Sequence, residues 1–385
     1  MRANCIVRQV LGDATKRIHR SRVKAIVAVV LALIHGGEIG LAALGRAIGP
    51  QSYKHGIKRI DRIFGNRALF DELDSIYAAI ARFTLRSVKR PVILVDWTEA
   101  GKDMCALSAA VPVQGRAITI YSVVRPISNY GSPIVEKAFL EKLKTLIAPK
   151  CKPILVGDAG FRGPWMKRVC AMQWDFVSRI RGRTQVQRVG ETQWRHWKEL
   201  WSLAGRGVRS LGRYRFIRTN SVEAQLVVVD RRSQRSRSLS KTKRRNLRAK
   251  RAAKAHREPW FLATSLTLPA KQITKIYASR MQIELTFRDL KSHRFGWSFE
   301  DARCRSTVRV AVQILLAALA SLVTMLVGIA AEKAGRHKAF QANTITKRRV
   351  LSLVALGCAI IRSLPPSTDF EIGDLRDHLP FMGIR

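Results

Sequence analysis

The chain has 385 residues, 47% of them apolar, which is room for two or three domains with buried cores and excludes a disordered tail or a marginal miniprotein. Lysine and arginine number 70 against 27 acidic residues, a formal charge of +43 spread from one end to the other. Self-repulsion of that size is best tolerated beside a polyanion, so the expected partner is nucleic acid; an anionic membrane surface and ribosomal-type RNA packing are the rivals.

Cys5, Cys105, Cys151, Cys170, Cys304 and Cys358 are scattered, with no C-x-x-C pair and no histidine at metal-site spacing. This argues for a reducing compartment and against structural zinc, and the expected location is the cytoplasm, with the nucleoid.

In chain order, residues 13–84 read as helices, with apolar side chains at three- and four-residue spacing and breaks at Gly36-Gly37 and Gly49-Pro50. The apolar run 25–34 follows a basic stretch as in an export signal, but it begins late, lacks a small-residue cleavage pattern and is too short to span a bilayer. The stretch 40–66 pairs a short helix, a Gly-Pro break and a second helix carrying Lys54, His55, Lys58, Arg59 and Arg62. That layout fits a helix-turn-helix-like DNA binder whose second helix lies against a groove, although a solvated basic helix has the same pattern.

From residue 91 the period changes. PVILVDWT (91–98) is a β-branched run after a proline, and MCALSAAVPV and RAITIYSVV flank Gln114-Gly115, a hairpin signal. An amphipathic helix follows at 135–147, then a second buried-type strand in KPILVGDAGF (152–161). Strand, hairpin, helix, strand is an α/β layout with a mixed sheet. Residues 174–265 return to short strands, interrupted by 231–257, a stretch with many basic residues and no acidic one that reads as a loop ordering against phosphate or as a linker. Trp194, Trp197 and Trp201 stand at spacings of three and four and read as packing.

Residues 268–293 read as one helix, with Pro269 in its first turn. Residues 310–331 are long enough to cross a bilayer, yet Gln313, Ser321, Thr324 and the many alanines suit a buried helix, or two, so no membrane partner is expected. The tail from about 336 reads as small helices and loops.

Two acids follow buried-type runs. Asp96 ends VILV and Asp158 follows ILVG, and a carboxylate in such a place is costly unless paired or bound to metal. Two buried strands each ending in a carboxylate suggest a shared site at one sheet edge, while an Asp after a strand is also an ordinary turn cap. On the helix read over 268–293, Tyr277, Arg280, Arg288 and Lys291 project within about 40° of Glu284, and Ile276, Ile283, Phe287 and Leu290 fall alongside. Asp289 falls on the far side and is a poor catalytic candidate. One carboxylate among three cations and a phenol suits a metal site against a phosphodiester; ordinary ion pairs along a helix explain the segment equally well.

Tyr277, Arg280, Glu284 and Lys291 stand at Y-(2)-R-(3)-E-(6)-K spacing. With VDWT at Asp96 and GDAGF at Asp158, the chain resembles the insertion-sequence-four family of bacterial DDE transposases and its YREK signature. LGRAI and KHGIKRIDRIFGN resemble that family's N-terminal region, so the likeness runs roughly from residue 40 to residue 330.

The resemblance implies an α/β fold with an RNase H-like mixed-sheet catalytic core, interrupted after the second aspartate by a β-rich insertion. The implied layout is a helical DNA-binding domain (1–88), the first part of the core (89–172), the insertion (173–266) with its basic loop 231–257, the second part of the core (267–335) and a helical tail (336–385). By the same likeness Asp96, Asp158 and Glu284 hold two Mg2+ ions, with Mn2+ able to substitute. Tyr277, Arg280 and Lys291 hold phosphates at the transposon end, and Arg288 shares their stripe. Trp260, in PWFLATS, stands where similar enzymes carry a tryptophan that receives a base flipped from the hairpin end. Some relatives place an aromatic just after the arginine; this chain has Met281, which puts that part of base capture in doubt.

The implied activity is cut-and-paste transposition of double-stranded DNA by a homodimer that pairs two ends. A catalytically silent DNA-binding descendant and a plain metal-dependent nuclease are the alternatives, and the three intact acids favour the active transposase over the silent descendant.

Overall fold

The computed structural model describes residues 2–49, 52–86, 88–205, 207–219, 221–230, 258–293, 296–365 and 368–370. It divides into two units, Met1–Cys151 with Met281–Arg385, and Lys152–Arg280. The basic stretch 231–257, read as a loop or linker, and the end of the tail lie outside the described residues.

Unit 1 opens with helices α1 (Ala3–Leu11), α2 (Arg20–Gly36), α3 (Leu41–Ala47), α4 (Tyr53–Phe64), α5 (Arg67–Asp71) and α6 (Leu73–Leu85). The apolar run 25–34 lies within α2 and buries Val29, Val30, Leu33 and Ile34. Gly37, at φ +77°, ends α2 by donating its N–H to the Leu33 carbonyl, a left-handed cap that suits glycine. Helices α3 and α4 cross where both are glycine: a Cβ on Gly56 would stand 2.0 Å from the Gly45 carbonyl oxygen. Opposite this seam, α4 leaves its basic side chains outward and buries Ile60, Ile63 and Phe64.

The period-two segment forms β1 (Val92–Glu99), β2 (Met104–Val113) and β3 (Arg116–Pro126), an antiparallel meander with Asp96 opposite Ser108 and Ser108 opposite Ser122. Gln114 (φ +42°) and Gly115 (φ +97°) supply the two positive φ angles of the tight turn between β2 and β3. Asp96 lies inside β1, which continues to Glu99, so of the two places the apolar run allowed, a sheet face or the strand's end, it takes the first. On one side of these strands stand α6 and α7 (Pro133–Leu146), with Tyr121 of β3 stacked on Phe139 at 4.9 Å and edge-on to Tyr77 at 5.7 Å. On the other side stand α10 (Met281–Lys291) and α11 (Thr307–Lys333), which pack on the same strands.

Among the described residues α11 is the one helix long and apolar enough to cross a bilayer, yet 83% of its most apolar window is buried by the protein, so the core reading of 310–331 holds, as one helix. Arg309 pairs with Asp61 of α4 at 2.7 Å, and α12 (Leu353–Ser363) packs along α11.

Unit 2 is the β-rich part. β4 (Ile154–Gly157), α8 (Gly163–Ala171) and β5 (Asp175–Ile180) form a strand-helix-strand unit with β4 parallel to β5. The remaining strands are β6 (Gln185–Arg188), β7 (Arg195–His196), β8 (Gly207–Phe216), β9 (Val222–Asp230) and β10 (Trp260–Thr264), followed by α9 (Ala270–Ala278). Within the unit the strand order is β4-β5-β10-β9-β8-β6-β7, antiparallel from β5 onward. A short 3₁₀ helix at Trp197–Leu203 carries Trp197 against Phe261 at 5.6 Å and Trp201 at 5.9 Å, so these two pack as expected, while Trp194 precedes the helix and is half-buried.

The single helix read over 268–293 is corrected to two, α9 and α10, separated by a turn at Ser279-Arg280. Ser279 ends α9 itself: its hydroxyl donates to the Ile276 carbonyl at 2.6 Å, competing with the helical ladder, and the Arg280 N–H reaches back only three residues to Tyr277.

Candidate active site

Unit 1 contributes Asp96 and Glu284. Asp96 is buried on β1, where its Oδ1 accepts the Trp97 backbone N–H at 3.0 Å. Glu284 sits, half-buried, in the first turn of α10. Three polar side chains on one stripe of α10 tie that helix to the β2–β3 hairpin: Gln282 accepts from Gly115 N–H at 3.1 Å, Thr286 Oγ1 from Ala117 N–H at 2.8 Å, and Asp289 takes the Arg116 guanidinium at 2.5 and 3.2 Å. Ala117 lies on β3, whose outer edge is thus partly satisfied by a helix. At about 100° per residue, Glu284, Arg288 and Lys291 form the opposite stripe. Asp289 is buried and spent on Arg116, consistent with its reading as non-catalytic. Arg288 and Lys291 line a shallow groove with Ser292, His293 and Glu300.

Tyr277 and Arg280 do not belong to that stripe, because the break at Ser279-Arg280 leaves Tyr277 on α9 and Arg280 in the turn. Both join a cluster within unit 2. Trp260 of β10 meets the Tyr277 ring edge-on at 5.2 Å, and the Arg280 guanidinium lies 6.0 Å from the centre of the same ring. Burial raises the Tyr277 phenol above its ordinary pKa; Arg280 and Arg179 oppose the rise and Asp158 adds to it, so the phenol feels all three groups. Asp158 itself follows β4, half-buried, with its Oδ1 accepting the Gly160 N–H at 2.7 Å, so it also caps the turn.

Arg179, on β5, is the residue that no motif marks. Its register partner on β10 is Leu262, which alternation puts on the same sheet face as Trp260, and its guanidinium lies 5.9 Å from the Trp260 ring centre. Glu258 is the nearest acid, at 4.0 Å, and among the described residues the buried Nε and Nη2 of Arg179 find no hydrogen-bond partner. Burial pushes this guanidinium below the usual arginine range, as do Arg181 and Arg280, against Tyr277 and Glu258. A half-buried indole, a buried phenol and two guanidiniums beside a carboxylate form a surface that fits a phosphate and a base. The only sequence signal for Arg179 was a basic residue inside an otherwise apolar strand, DFVSRI.

On α4, Lys54, His55, Lys58 and Arg62 are exposed and Arg59 is half-buried, a pattern that a groove-facing helix and a solvated basic helix share. Ser52 bonds His55 at 3.0 Å at the helix start, and Tyr53 beside it is 65% exposed, an aromatic that the basic pattern overlooked.

A sequence model of the family described as transposase DDE domain matches residues 87–323, more than half of the chain. The chain belongs to the DDE transposases. The matched stretch of this transposase contains Asp96, Asp158, Arg179, Trp260, Tyr277, Arg280, Glu284 and Lys291. No curated protein matches the chain. DDE transposases act on DNA and generally use divalent metal, so DNA is the partner implied for this one.

The donor chemistry fits such an ion. Asp96, Glu284 and Asp158 offer only carboxylate oxygens, the hard ligands that Mg2+ and Mn2+ prefer, with no thiol or imidazole among them. Among the described residues no three His, Cys, Asp or Glu side chains are gathered into a metal-holding group; Asp96 and Glu284 belong to unit 1 and Asp158 to unit 2.

Proposed function

We propose that this DDE transposase performs cut-and-paste transposition: it binds the ends of an insertion sequence, releases them through a hairpin, and joins the freed 3′ ends to target DNA. The reading keeps the insertion-sequence-four assignment and its YREK residues, and it is carried by the clustering of Tyr277, Arg280, Arg179 and Trp260 with Asp158. In it Asp96, Asp158 and Glu284 hold two Mg2+ ions, for which Mn2+ substitutes. When bound, the ions supply activation of a water or terminal 3′-hydroxyl and stabilisation of the leaving oxygen.

The protein's own part is positioning. Arg280 and Arg179 receive phosphate oxygens with charge-assisted hydrogen bonds, to which Lys291 and Arg288 add on the face of α10 that bears Glu284. Tyr277, kept protonated by burial, donates its hydroxyl to a phosphate oxygen. Trp260 offers a stacking platform for an extruded base, a contact worth about 1–3 kcal/mol. The exposed cations of α4 grip the end DNA, and two chains pair two ends. The work is done in the cytoplasm, on the nucleoid.

Asp96→Ala is expected to abolish Mg2+-dependent cleavage of DNA carrying the element's ends while binding stays within about tenfold, because a metal ligand serves the transition state more than docking. Gel-shift and cleavage assays on one preparation measure both; cleavage at the wild-type rate would end the assignment.

A further inference from the structure

Glu136 is a buried carboxylate that the chemistry above does not use. It lies in the first turn of α7, 4% exposed, and a carboxyl so buried needs polar partners. One of them is an indole: Trp97 Nε1 donates to Glu136 Oε1 at 3.3 Å. The ring of the exposed Tyr130 stands 5.4 Å from that of Trp97. The same Trp97 donates its backbone N–H to Asp96 Oδ1.

Strand alternation separates the two ends of this chain of contacts. Asp96 shares its face of β1 with Thr98, which lines a small cavity with Ser108 of β2, Phe287 and Leu290 of α10 and Ile314 of α11. Trp97 points to the opposite face, where α7 stands. The indole is therefore clamped behind the strand while the peptide N–H of the same residue fixes an oxygen of the acid in front. An apolar residue in place of Glu136 would cost less to bury, and it would leave the Trp97 ring free to turn.

We propose that Glu136 is a positioning residue for Asp96, acting through Trp97 from the far side of the β1–β3 meander. This rests on the reading of Asp96 as a metal ligand. Removing a partner behind a ligand typically costs about 10–100-fold in metal affinity or activity.

The test measures two quantities on the full-length chain: Mn2+ binding by calorimetry without DNA, and Mg2+-dependent cleavage of DNA bearing the element's ends. Glu136→Ala is expected to weaken Mn2+ binding and slow cleavage by at least about tenfold with end-DNA affinity unchanged. Glu136→Gln, whose amide oxygen still accepts the indole N–H, is expected to restore both to within about threefold of wild type. Wild-type Mn2+ binding and cleavage in Glu136→Ala, or a Gln variant as defective as the Ala one, would overturn the proposal. Should the Ala variant fail to fold, Trp97→Phe removes only the donor, and a folded Trp97→Phe protein with wild-type Mn2+ affinity would overturn it equally. Asp96→Ala run alongside separates the two levels: cleavage by that variant defeats the metal-ligand reading itself, whereas its silence beside an unimpaired Glu136→Ala defeats only the role of Glu136.

Discussion

Arg179, proposed to receive a phosphate, carries a cost in stability. Among the described residues two of its nitrogens are buried without hydrogen-bond partners, and its carboxylate neighbour stands 4.0 Å away, so those residues leave a desolvated cation not fully satisfied. A phosphate would satisfy it. Arg179→Met is therefore expected to leave thermal stability unchanged or raise it by about 1 kcal/mol or more, while end-DNA affinity falls by about tenfold or more. Thermal denaturation and gel shifts on the same preparation decide this; a variant that melts lower and binds DNA normally would make Arg179 a structural residue. The contrast is Arg116, whose guanidinium is taken up by Asp289 at 2.5 and 3.2 Å and needs no ligand to complete it.

At the scale of elements, the helix-forming N-terminal region, the hairpin at Gln114-Gly115, the strands of unit 2 and the buried character of α11 were legible, because each rests on a local signal of period, turn residue or apolar length. The break at Ser279-Arg280 was not. No glycine or proline marks it, and the helix ends through a serine hydroxyl that donates to the Ile276 carbonyl, so the wheel drawn through Tyr277 and Lys291 joined residues of different elements. For the candidate site, the three acids and Tyr277, Arg280 and Lys291 could be named from motifs, whereas Arg179 and Glu136 could not. The roles proposed for these two rest on cross-strand register and on which sheet face a neighbour occupies, neither of which a single sequence displays. The helix-turn-helix reading is testable at this scale as well. Lys58→Ala with Arg59→Ala is expected to weaken end-DNA binding and to lower the slope of log affinity against log salt by roughly 1–2, since each neutralised phosphate contributes about 0.9. An unchanged slope in a salt titration would remove α4 from the DNA interface.

At the scale of the whole molecule, a charge of +43 is a standing electrostatic cost that a folded chain tolerates when phosphate neutralises it, and membership of the DDE transposases supplies the polyanion. The one described helix of bilayer length is spent on the core of unit 1, so the charge and the apolar mass serve different ends: DNA outside, packing inside. What unites the proposal is a division of labour among three carboxylates that stand far apart in the sequence. Anomalous diffraction from a crystal of the chain with end DNA and Mn2+ addresses it most directly. Two peaks within about 4 Å of each other, ligated by Asp96, Asp158 and Glu284, are the result expected. Manganese bound elsewhere, with these three side chains unligated, would contradict it.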